Sequence, residues 1–213
     1  MHSRAIEERK SSLKLTDVQR STLVGLLLGD AHLETQNRGR TYRVKFEYGA
    51  KQALYAEHLY GIFKEWTLTP PQAKLDATHD NVWFQTVSHE AFRFYAHQFT
   101  DGGRKCVPKL IHHFLSARSI AYWFMDDGSV KSRESKGVLF NTQGFVLNDV
   151  ERLRDALCAG FDLEASVRRQ KEGFQVYVSG KSFEKFRKVV DPFVIASMRY
   201  KIPSDRKTRM PKL

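Results

Sequence analysis

The chain runs through the same order of elements twice in its 213 residues, and that repeat limits the available folds more than any single residue does. The first pass begins at the apolar run STLVGLLLGD, with Ser21 as its expected N-cap, and continues through a loop into the alternating strand TYRVKFEY. LYAEHLYGIFKEW follows as an amphipathic helix with Tyr55, Leu59, Ile62, Phe63 and Trp66 on one side, stopped by Pro70-Pro71. The hairpin AKLDATHDNVWFQTVS, turning near His79-Asp80-Asn81, leads into the helix HEAFRFYAHQF. The second pass starts at SIAYWFMDD and continues with the strand GVLFNTQ and the helix NDVERLRDALCAGF, for which Asn148 is the expected N-cap. The hairpin ASVRRQKEGFQVYVS, turning at Glu172-Gly173, and the helix KSFEKFRKVVDPF, ending before Pro192, complete it.

The register supports a duplication. Val87-Ser88 and Phe92 recur as Val178-Ser179 and Phe183, 91 residues on, whereas Asp30 recurs as Asp127, 97 residues on. A small deletion in the second half reconciles the two offsets. The expected fold is α+β, a pseudo-twofold duplicated αββαββα with halves at 1–113 and 114–213. Each half builds a four-stranded antiparallel sheet with helices on one face, which leaves the opposite face to water or to a partner.

The strand patterns and the charge say what that partner is. Tyr42, Val44, Phe46 and Tyr48 alternate with Arg43, Lys45 and Glu47, while Val167, Val176 and Val178 alternate with Ser166, Arg168, Gln175, Tyr177 and Ser179. Long donors and acceptors therefore fill the outer face. The 35 lysines and arginines outnumber the 24 aspartates and glutamates, a formal net charge of +11 at pH 7, which favours a polyanion. A two-stranded ribbon fits the DNA major groove, so two such sheets can form a saddle on double-stranded DNA, with Arg43, Lys45, Glu47, Arg168, Gln175 and Tyr177 as the contacting residues. No apolar run approaches the roughly 18 residues of a membrane span. The N-terminus MHSRAIEERKSSLKL is too charged for a secretory signal, so an intracellular protein with no membrane partner is expected.

LVGLLLGDA and IAYWFMDDG align position for position, with Asp30 and Asp127 in the same place. Two apolar helices that open the two halves are candidates to pack together at the pseudo-twofold axis, bringing their terminal acids to the middle of the basic saddle. A helix C-terminus is an unfavourable place for a carboxylate, because the helix dipole is negative there. A divalent cation relieves that repulsion. Mg²⁺, or Mn²⁺ in its place, takes one or two carboxylates plus phosphate oxygens and supports in-line phosphodiester displacement.

At these residues the chain resembles the LAGLIDADG homing endonucleases, in their single-chain branch with two motifs. GLLLGDAHL, RTYRVKFEY, TLTPPQAK, AYWFMDDGS, LFNTQGF and SMRYKIP carry the resemblance, which extends from about residue 15 to residue 203. It implies a monomer that makes a site-specific double-strand break in a long asymmetric DNA target and so promotes intron mobility, in an organelle or a bacterial cytoplasm. It assigns the metal-binding acids to Asp30 and Asp127, one in each active site. It also assigns the catalytic basic residues to Lys105 and Lys201, which follow their aspartates by the closely matched distances of 75 and 74 residues. Gln143 is a further candidate, for positioning water near Asp127. Relatives of this fold also serve as RNA maturases or as DNA-binding regulators without catalysis, so intron RNA stands as a second partner. Retention of both aspartates and both lysines favours the nuclease.

The remaining conspicuous residues are given no role in the chemistry. Asp126 is matched by Gly29 in the first half and is not assigned as a ligand. His89, His97, His112 and His113 lack zinc spacing, and Cys106 and Cys158 read as free thiols. Arg206, Lys207, Arg209 and Lys212 in the tail add unspecific attraction to phosphate.

Overall fold

A computed structural model of the chain describes residues 4–75, 80–132 and 134–203. Two compact units divide it, Met1–Pro108 and Lys109–Leu213. The first holds α1 (Arg4–Ser12), α2 (Asp17–Leu28), β1 (His32–Glu34), β2 (Arg43–Gly49), α3 (Ala53–Phe63), β3 (Gln72–Leu75), β4 (Asp80–Gln85), α4 (Arg93–Phe99) and the short pair β5 (Thr100–Asp101) and β6 (Arg104–Lys105). The second holds α5 (Ala117–Asp127), β7 (Gly128–Ser132), β8 (Ser135–Phe140), α6 (Leu147–Phe161), β9 (Ala165–Gln170), β10 (Gly173–Val178) and α7 (Phe183–Val190), followed by a 3₁₀ turn over Ala196–Lys201.

The repeat is explicit in the topology. The first sheet has strand order β1-β2-β4-β3 and the second β7-β8-β10-β9, with every neighbouring pair antiparallel. Val44, Phe46 and Tyr48 point into the first core, while Arg43, Lys45 and Glu47 between them are half-exposed, as alternation requires. Phe46 stacks on Phe84 with ring centroids 4.3 Å apart, and α3 lays Tyr55, Leu59 and Phe63 against that layer. In the second unit the bulky residues of α5 find their space on the sheet: Trp123 lies over Phe140 at 4.0 Å, and Phe124 meets Phe186 of α7 at 5.0 Å. Residues 22–28 of α2 and 119–126 of α5 are buried without an exposed stripe, so these two helices are core elements rather than surface amphipaths.

Several boundaries differ from the pattern reading, each for a local reason. α2 begins four residues before Ser21, because Thr16 and Gln19 close a reciprocal capping box; the Ser21 hydroxyl instead donates to Asp17 O at 2.8 Å. The polar first turn conceals that start from a hydrophobic pattern. Asn148 is likewise inside its helix, since α6 is capped by the backbone of Val146, with Asp149 N and Val150 N donating to its carbonyl. Asp80 and Asn81 belong to β4, paired with Leu75 and Lys74, and the expected turn residue His79 lies outside the described residues. Lys171 and Glu172 make the β9–β10 turn. Gly173 already pairs with Gln170, at a φ of 149° and with Gln143 O only 2.7 Å from where a Cβ would sit. The strand expected to reach Gln143 stops at Phe140.

Candidate functional site

The C-terminus of α2 gives the first site its shape. Gly29 N donates to Gly25 O at 3.1 Å, Ala31 N reaches back to Leu26 O at 3.0 Å, and Ala31 is fully buried. Asp30, between two buried neighbours, is exposed. Lys105 comes to the same place from β6, where Thr100 pairs with it and Cys106 N donates to Phe99 O at 2.9 Å. Its ammonium donates to Gly29 O, the carbonyl immediately before Asp30. A cation on the last carbonyls of a helix is favourable in the dipole field, the opposite of the carboxylate beside it.

The second unit repeats the arrangement with other supports. Lys201 closes the 3₁₀ turn, and its ammonium donates to Met125 O at 2.5 Å and to Asp126 O at 2.6 Å. Asp126 O is the carbonyl immediately before Asp127, so both lysines hold the same position of their motif. Asp127 is half-buried, and Asn141 N donates to its carbonyl at 2.9 Å, continuing the β7–β8 ladder past Gly128 and Phe140. Gly128 must be a glycine here because the chain passes so close to the helix: a Cβ would lie 2.3 Å from Phe124 O.

Gln143 sits in the turn after β8, its backbone packed against Gly173. Closer to Asp127 in the ladder is Asn141, whose Oδ1 accepts from Gln175 Nε2 at 2.6 Å. Pattern reading did not single out Asn141. Its signal was register, since the residue following Phe140 falls opposite both Asp127 and Gln175. Gln175, one of the expected DNA-contacting residues, is itself buried, with its amide committed to Asn141.

On the first sheet the outer side chains form a charge network. Glu34 pairs with Arg43 at 2.9 Å and approaches Lys45 at 3.9 Å; Glu47 approaches Lys45 at 3.7 Å and Lys74 at 3.2 Å, and accepts from Asn81 at 3.0 Å. Partial burial pushes the Glu34 carboxyl up, but the hydrogen bonds from Arg43 and His32 and the charges of Arg43 and Lys45 outweigh it and leave it below the ordinary carboxylate range. The hydrogen bonds from Asn81 and then Lys74 hold Glu47 below that range as well. Both acids therefore stay ionised and fix the basic side chains around them, and Trp83 and Gln85 complete the lining of this shallow depression. On the second sheet Arg168 lies over the ring of Tyr177.

Among the described residues no three His, Cys, Asp or Glu side chains converge as a self-sufficient metal cage. The donors at the helix ends are carboxylates, Asp30 at the first and Asp127 with the buried Asp126 at the second, beside carbonyls that accept from Lys105 and Lys201. This hard-oxygen set suits a cation of the Mg²⁺ type, which completes its shell with water and substrate phosphate. No helix among the described residues is long and apolar enough to cross a membrane.

Comparison with known proteins shows the family of the chain. The profile of the LAGLIDADG DNA endonuclease family matches residues 20–186. The chain is 32% identical over 204 residues to "Probable intron-encoded endonuclease 1" of Wickerhamomyces canadensis, covering 91% of this chain and 87% of that protein. It is 28% identical to "DNA endonuclease I-ChuI" of Chlamydomonas applanata, over 92% of this chain and 99% of that one. Among solved structures, the homing endonuclease I-WcaI bound to its DNA recognition sequence superposes with a TM-score of 0.89 at 29% identity, covering 96% of this chain and 95% of that one.

Proposed function

Because the chain belongs to the LAGLIDADG DNA endonuclease family, we propose that it is a site-specific homing endonuclease, cutting both strands of a long asymmetric DNA duplex by divalent-cation-dependent phosphodiester hydrolysis and so promoting intron mobility. The observation that carries this reading is the repeated helix end. Asp30 and Asp127 close corresponding apolar helices, and Lys105 and Lys201 each donate to the carbonyl just before them. A binding protein has no need of that pair twice.

In this reading Asp30 and Asp127 are the carboxylates that would each hold a divalent cation, Mg²⁺ or Mn²⁺. The bound cation contributes Lewis acidity and makes water a better nucleophile at neutral pH. Lys105 and Lys201 bring a fixed positive charge to the side of the phosphate where negative charge accumulates as water adds to phosphorus and the P–O bond breaks. Their carbonyl contacts hold the ammonium groups in place before substrate arrives, so little reorganisation is left for the reaction step. Asn141, bonded to Gln175 and to the Asp127 backbone, is better placed than Gln143 to orient a water at the second site. The outer faces of the two sheets supply the DNA contacts, Arg43, Lys45 and Glu47 from the first and Arg168 and Tyr177 from the second.

One chain carries both sites, so a monomer suffices for a double-strand break, and the protein works where its target DNA is, in an organelle or a bacterial cytoplasm. The test is a selection for cleaved molecules from a randomised duplex library in Mg²⁺, with EDTA, Asp30→Asn and Asp127→Asn in parallel. Enrichment of one long asymmetric site by the wild type, reduced to single-strand nicks in each variant, is the expected result. Retention of DNA without cutting under any divalent cation would remove the nuclease reading, and selective retention of structured RNA would replace it with a splicing role.

A further inference from the structure

The outer face of the second sheet contains a side-chain assembly that its composition does not explain. Tyr177, on the central strand β10, pairs with Leu139 on one side and Ser166 on the other. Its ring leans across β8 into the space left by Gly137, where a Cβ would lie 2.6 Å from Tyr177 Cε2 and 2.7 Å from its hydroxyl oxygen. Arg168, from β9, lays its guanidinium over that ring, with Cζ 3.3 Å from the centroid. Lys131, on the same face of β7 as Ser129, lies 5.5 Å from the ring centroid. Among the described residues no carboxylate forms an ion pair with Arg168, unlike Arg43 on the first sheet, which Glu34 holds.

We propose that Arg168, held flat over Tyr177 in the space that Gly137 provides, reads one guanine in the half of the DNA target served by the second unit. This rests on the DNA-binding part of that reading and gives it one specific base. A guanidinium stacked on an aromatic ring loses rotamer freedom without losing its edge donors. Those donors match the O6 and N7 acceptors of guanine in the major groove, the pairing that distinguishes guanine from the other three bases. Lys131, exposed beside it, is free of that geometric demand and serves the neighbouring phosphates. Gly137 is a positioning residue that acts through the tyrosine.

The experiment selects duplexes from a randomised library in two ways, by retention on the protein in EDTA and by cleavage in Mg²⁺, for wild type, Arg168→Ala, Arg168→Lys and Gly137→Ala. Wild type is expected to require guanine at one position in one half-site. Arg168→Ala should lose that preference by roughly tenfold or more while keeping the others. Arg168→Lys, with the charge but not the fork, should lose it too, and Gly137→Ala, which displaces the ring, should weaken the same position. Unchanged preferences in Arg168→Ala overturn the proposal. So does a uniform loss of affinity that lysine restores, because that is the behaviour of a phosphate contact. The retention arm separates the two claims: a wild type that selects a sequence without cutting it ends the nuclease reading and leaves this one standing, whereas a wild type that retains duplexes with no guanine preference ends this one.

Discussion

Asp30 and Asp127 carry the same group in different surroundings, one exposed and the other half-buried beside Asn141. Each Asp→Asn change should abolish cutting of one strand and leave a nicked duplex, visible on a denaturing gel as one intact strand. Lys105→Met and Lys201→Met should slow their own strand by roughly 10²-fold while DNA binding persists. Because each ammonium sits on the last carbonyls of its helix, either change should also cost about 0.3–1 kcal/mol of stability in denaturant titration. Glu47 has a pH signature. Hydrogen bonds from Asn81 and Lys74 lower its pKa in the folded protein, so its ionised form favours folding. That contribution is complete above the ordinary carboxylate range and disappears as pH falls through the depressed value. Glu47→Gln should therefore lower stability by about half a kcal/mol near neutral pH and leave it unchanged well below the carboxylate range, in melts run at both ends.

At the scale of elements, the two buried helices depend on their ends. Thr16 and Ser116 each close a capping box on α2 and α5, with Gln19 and Ser119 returning the bond. Thr16→Ala and Ser116→Ala should each cost about 1 kcal/mol, read as a shift of the denaturation midpoint with an unchanged slope. Gly128 marks the other end of α5. Its φ of −79° is ordinary for any residue, so conformation does not demand glycine there. Contact does: an added methyl meets the backbone carbonyl of Phe124 and its ring, neither of which can move without shifting the helix end that carries Asp127. Gly128→Ala should destabilise by about 1–3 kcal/mol and depress cutting at the second site more than at the first, measured strand by strand.

For the whole molecule, the net charge of +11 makes DNA binding a counterion-release process, and affinity should fall linearly on a log–log plot as salt rises, for cognate and random duplexes alike. The interactions that follow the chain were legible in the sequence. Alternation in residues 43–48 declared a two-faced strand, the apolar runs ending at Asp30 and Asp127 declared one core helix in each repeat, and the matched offsets of Lys105 and Lys201 declared a duplication. Each of these is a periodicity of 2, an unbroken apolar run or a repeat length, which the order of residues displays directly. The start of α2 at Thr16 was missed because a capping box is polar and leaves no hydrophobic trace. What the tertiary structure alone decided were contacts between distant segments: Lys105 on Gly29 O across 76 residues, Asn141 on Gln175 across 34, and Arg168 over Tyr177. Such pairs depend on how loops close and on strand register, where a slip of one residue turns every side chain to the other face. Residue identity can nominate Arg168 as a donor, but only the register that sets Tyr177 beside Gly137 fixes where its guanidinium rests.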